Sequence, residues 1–152
     1  MLNRLKQALE ARKLGRQQVK LIQEGKKWGK TAGEVIGRNP FIVQLDRAPF
    51  RPDQAAALCG YVYGFSDVCC QHVGLERGGP ASGNAAVTAL NIVVSDHKKA
   101  AQMIELFLVK DEQRAEFDRG MRLGAAGANG FLSNERWSDG ITGIAQTLIK
   151  QM

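Results

Sequence analysis

Apolar positions recur at helical spacing through most of residues 52–152. Leu58, Val62, Phe65, Cys69 and Val73 fall at i, i+4, i+7, i+11 and i+15, one face of a helix wound at about 3.6 residues per turn. Pro52 suits the first turn of that helix and Asp53 complements its positive end. Gly74 to Gly83, containing Gly78-Gly79-Pro80, is the strongest break in the chain. Ser82 or Asn84 then caps a helix reaching Val94. Ser95-Asp96 caps the next, which carries Ala100, Ile104, Phe107 and Leu108. Asp111 to Leu123 reads as a charged helix anchored by Ala115, Phe117 and Met121, and Gly124 to Gly130 as a loop. Ser133 opens a last segment whose apolar face is Trp137, Ile141, Ile144, Leu148 and Met152.

The first fifty residues are patterned differently. Leu2 to about Gln23 is rich in Leu, Lys, Arg, Gln, Glu and Ala, all strong helix formers. Leu2, Leu5 and Leu9 share a face, whereas Leu14, Leu21 and Ile22 fall on another, with Gly15 at the changeover. A kink or two short helices is expected there. Gly25 to Pro40 reads as irregular because of Gly29, Gly33, Gly37 and the Asn39-Pro40 turn signal. Phe41 to Leu45 fits either a short strand or an extended apolar plug.

The expected fold is mainly α, an irregular helical bundle of five to seven helices with at most one short strand. It divides into a basic helical segment (1–24), an irregular linker (25–51) and a helical core (52–152), a single domain overall. The pairs Gly60/Gly64 and Gly120/Gly124 allow two readings, close helix approach or frayed ends.

Composition adds little until charge is placed along the chain. The 152 residues are 44% hydrophobic and 24% charged, ordinary for a single domain with its own core. No apolar run is long enough to span a bilayer. Three cysteines cannot all pair, and Cys69 and Cys70 are adjacent, which points to reduced thiols and a cytoplasmic setting. The charge, however, is lopsided. Residues 1–30 hold nine Lys/Arg against Glu10 and Glu24, a net +7, while residues 31–152 carry −1. The segment has no serine and no apolar signal region, so it reads as a retained part of the protein.

Lys6, Lys13, Lys20 and Lys27 recur every seven residues, with Arg16 beside them. On a continuous helix these five form one basic ridge, able to neutralise successive phosphates without reading sequence. An acidic protein groove or an anionic membrane surface would satisfy the same charges, with the Leu2/Leu5/Leu9 face adding apolar contact to either, and a Lys-rich solvated face is the bland alternative.

Other candidate chemistry is weaker. Gly25-Lys26-Lys27-Trp28-Gly29-Lys30-Thr31 resembles a phosphate-binding loop but is one residue short, and no buried strand precedes it. Gly124, Gly127 and Gly130 precede a helix without a lysine among them and read as a connector. Cys69 and Cys70 diverge by about 100° on a helix and would not grip one zinc ion together with His72. Any histidine-dependent catalysis must use His72, expected half-buried, or His97, expected solvated. No cofactor or metal is implied.

The leading expectation is therefore a non-enzymatic cytoplasmic module. Its anion-binding residues are Lys6, Lys13, Arg16, Lys20, Lys27 and Lys30, and its preferred partner is nucleic acid, with acidic protein second. The alternative is a helical effector, chaperone or immunity-type protein working through apolar contacts at Leu2, Leu5 and Leu9, homo-oligomerisation included. An enzyme stands third.

Overall fold

The computed structural model of the chain describes residues 2–38, 51–109 and 113–133. Five helices occur among them and no strand: α1 (Leu2–Gly37), α2 (Pro52–His72), α3 (Pro80–Val93), α4 (His97–Val109) and α5 (Arg114–Ser133). The mainly α bundle expected from the apolar periodicity is the fold. Phe41 to Leu45, Trp137 and the remainder of the last apolar segment lie outside the described residues.

Local signals place several ends. Arg51 is the N-cap of α2 with Pro52 in its first turn, and Arg51 Nη2 pairs with Asp53 Oδ2 at 2.9 Å. Asp96 Oδ1 accepts the Lys98 N–H at 2.9 Å, capping α4 as its position implied. At α3 the expected side-chain cap is absent. Gly79 occupies the N-cap, Pro80 opens the helix, and Ser82 and Asn84 lie inside it.

Ser82 is instead committed to a buried node. Its Oγ donates to Asp67 Oδ1 at 2.6 Å. The same oxygen accepts the Gly78 N–H at 2.9 Å, and Gln71 Nε2 donates to Asp67 Oδ2 at 3.0 Å. This carboxylate on α2 thereby fastens the loop into α3. Gly74 and Gly78 give that loop two positive φ angles, 85° and 66°, which other residues adopt only with strain.

Two expectations fail, for one reason. The irregular stretch expected from Gly25 is helical to Gly37, and the loop expected at Gly124 to Gly130 is the interior of α5. The glycines there do not end helices; they let helices touch. Residues 57 and 61 of α2 lie opposite 120 and 124 of α5, and residues 60 and 64 lie opposite 117 and 121. The two helices therefore run parallel at backbone distance. A Cβ on Gly60, Gly64, Gly120 or Gly124 would meet the carbonyl group of Phe117, Met121, Ala57 or Tyr61 respectively. On α1, Gly25, Gly29 and Gly33 face Ala81, Ala85 and Ala89 of α3 in the same parallel sense. Small residues at a four-residue interval remove the side-chain layer that ordinarily separates helix axes.

The core forms around α2. Tyr61, Phe65, Val62 and Cys70 are fully enclosed, with Ile36 from α1 and Val94 beyond α3. The predicted stripe Leu58, Val62, Phe65 and Cys69 is buried, while Val73 lies past the helix end and is exposed. Phe65 meets Phe131 of α5 at a ring separation of 6.1 Å, and Tyr63 meets Phe117 at 6.0 Å.

A candidate docking arm

α1 is two objects in one helix. Its second half, from Gly25 to Ile36, is buried at Gly25, Gly29, Ala32, Gly33, Val35 and Ile36 against α3 and α2. Its first half is exposed at every residue from Leu2 to Lys20. Nineteen residues at about 1.5 Å each make an arm of about 28 Å. It is helical because strong helix formers extend a helix already nucleated by the packed half, so the costly first turn is supplied elsewhere. The helix runs unbroken through Gly15, where a side chain would meet nothing within 4 Å.

The winding of α1 sorts its residues. At about 100° per residue, Lys6, Lys13, Arg16, Lys20, Lys27 and Lys30 fall within an arc of about 120°. The small residues that face α3 are centred on the opposite side of the helix. The ridge consequently points away from the body along its whole length. The seven-residue recurrence drifts by only about 20° per repeat. Leu2, Leu5 and Leu9 occupy the same outward arc at its amino-terminal end and are 85%, 63% and 57% exposed. The leucines and the basic ridge are thus one surface, with an apolar tip and a cationic shaft.

Among the described residues no salt bridge involves α1. The acids of α5 are engaged locally. Asp118 pairs with Arg114 at 3.2 Å and Glu116 with Arg119 at 2.6 Å, each within that helix. Asp111 and Glu112 lie outside the described residues. Two acids share the outward side of α1: the half-buried Glu24 at the edge of the basic arc, and the exposed Glu34 beyond Lys30. Lys27 Nζ sits 5.3 Å from the centre of the Trp28 ring. Trp28 itself is half-buried with its Nε1 enclosed, so it does not present a free ring for stacking on bases.

The remaining candidates are placed as follows. Residues 25–31 are helical, and Gly25 and Gly29 are filled by α3 backbone, so they form no cradle for a phosphate. Gly124 and Gly127 are buried in α5. Cys59, Cys69 and Cys70 are free and buried. Burial pushes the Cys59 and Cys69 thiols up to about 12, the neighbouring Cys70 adding to the rise at Cys69. Burial raises Cys70 too, with the nearby Ser82 hydroxyl opposing the rise and the Asp67 carboxylate adding to it. Such thiols are protonated at neutral pH and poor nucleophiles. His72 is exposed where half-burial was expected; its position ends α2 at the surface. His97 is exposed, with Nδ1 3.3 Å from Asn91 Oδ1. Among the described residues no three His, Cys, Asp or Glu side chains converge as a metal site would require.

An apolar cavity of about 230 Å³ lies among α2, α3, α4 and α5, lined by Cys59, Val62, Tyr63, Val87, Leu90 and Ile104 with others. It holds neither histidine and no carboxylate. No described helix is long and apolar enough to cross a membrane.

No family model, curated protein or solved structure matches this chain.

Proposed function

We propose that this protein is a non-enzymatic helical module that docks onto an anionic partner through the amino-terminal half of α1. One observation carries the reading. Residues 2–20 are helical, exposed and strongly cationic, yet they contribute nothing to the core. Lysine and arginine on one outward face concentrate positive potential where a partner can approach without meeting the body. The recognising chemistry is a dense array of phosphates or carboxylates, as in nucleic acid or an acidic protein.

Fluorescence anisotropy on a labelled DNA duplex and on polyglutamate, across a salt series, tests this. For six phosphate contacts the logarithm of affinity falls against the logarithm of salt with a slope of about −5. Charge reversal at Lys6, Lys13 and Lys20 removes most of the binding. Absence of binding to any polyanion at low salt rejects the proposal.

A second reading is favoured by the exposure of Leu2, Leu5 and Leu9, which a purely electrostatic arm has no use for. In that reading the helix inserts its apolar tip into a partner groove, and the lysines tune encounter rate and solubility. Leu5→Asp with Leu9→Asp then releases the partner or disperses an oligomer in size-exclusion chromatography.

A further inference from the structure

We infer that the anionic partner is a lipid surface, on which α1 lies with its leucine tip inserted between headgroups and its basic shaft resting on them. This rests on the docking reading above and adds the identity of the partner. Three observations converge on it. First, among the described residues no position on the outward arc of α1 is buried from Leu2 to Glu34, a track of about 50 Å, and α3 packs on the opposite side. A flat surface can therefore contact the helix from tip to shaft without meeting α2 or α3. Second, the leucines are flanked as an interfacial helix requires. Lys6 and Lys13 lie on one side of the Leu2/Leu5/Leu9 stripe and Arg12 on the other, all exposed. Their alkyl stems can lie along the acyl boundary while the charges reach the headgroups. Third, the charge beyond the leucines is complementary to an anionic leaflet. Arg16, Lys20, Lys27 and Lys30 continue the same arc where no leucine remains.

The competing occupants match half of this surface each. A nucleic-acid backbone satisfies the cations but leaves three leucines in water. A second copy of the chain would cover the leucines but bring two +7 segments together. An acidic groove of a protein satisfies both and is separated by experiment.

The test is flotation of the full chain with phosphatidylcholine vesicles, with and without phosphatidylglycerol, beside anisotropy on duplex DNA and polyglutamate. The expected result is binding to the phosphatidylglycerol vesicles and not to the neutral ones, lowered about tenfold or more by Leu5→Ser with Leu9→Ser. Lys13→Glu with Lys20→Glu abolishes it. The leucine variant leaves DNA and polyglutamate affinity within about twofold, because polyanions do not use the tip. All four positions are exposed, so circular dichroism of each variant should match the parent. Equal binding to neutral vesicles, or vesicle binding indifferent to the leucines, overturns the inference. Binding to DNA or polyglutamate without anionic vesicles overturns it too, while leaving the docking arm intact. Binding to none of them at low salt overturns both.

Discussion

Replacing Gly124 by alanine separates the two roles a glycine can have in α5. In an unpacked helix interior, Gly→Ala stabilises by about 0.8–1.0 kcal/mol, because the chain loses less backbone freedom on folding. Here an ideal Cβ on Gly124 lies 2.8 Å from the Tyr61 carbonyl carbon and 2.9 Å from its Cα. Carbon atoms ordinarily approach to about 3.5–4.0 Å. The obstacle is backbone, so no side chain can rotate away, and α2 and α5 must separate by several tenths of an ångström. That displacement loosens contacts along the pair of helices that builds the Phe65–Phe131 side of the core. Overpacking of this kind costs about 1–3 kcal/mol, occasionally more, and outweighs the propensity gain. With a rigid backbone obstacle placing the cost in the upper part of that range, the expected result is a net loss of about 1–2 kcal/mol, a fall in Tm of roughly 2–8 °C for a domain of this size. Gly15→Ala is the internal control. Nothing lies within 4 Å of its added methyl, so it raises helicity of the arm and leaves core Tm unchanged. Thermal and urea unfolding followed at 222 nm measure both. A Gly124→Ala protein at or above the parent Tm would falsify the close-packed crossing.

Three further outcomes follow from the same structure. Asp67→Ala leaves the fully buried Ser82 Oγ and the Gly78 N–H without their acceptor, and should cost about 2–4 kcal/mol in urea unfolding; an unchanged midpoint would remove the node from the account of how α2 holds α3. Because burial raises Cys59 and Cys69 from 9.0 to about 12, folding favours the neutral thiols. Their contribution is complete below pH 9 and is lost as pH rises from 9 towards 12, at about 1.4 kcal/mol per thiol per pH unit; a decline in the parent no steeper than that of a Cys59→Ala, Cys69→Ala protein would contradict it. Deleting residues 2–20 should abolish polyanion and vesicle binding yet leave the Tm within about 2 °C, since the arm buries nothing in the core; a large drop would mean the arm is structural.

What the sequence determined by itself was periodicity and charge. The Leu58–Cys69 stripe, Pro52 at a helix start, Asp96 as a cap and the concentration of lysines near the amino end are local properties. Each depends only on neighbours a few residues away. What the sequence left undecided was the meaning of its glycines, because a glycine's value depends on what stands across from it. Gly25 and Gly29 carry the punctuation of a loop, and Gly120 and Gly124 that of a frayed end. Only the arrival of Ala81 and Ala85 on one side, and of Ala57 and Tyr61 on the other, turns them into helix interior. The arm shows the same division. That Lys6, Lys13 and Lys20 share a ridge follows from winding alone. Winding puts the leucine tip on the same arc, and packing against α3 decided that this arc is the side of α1 left open.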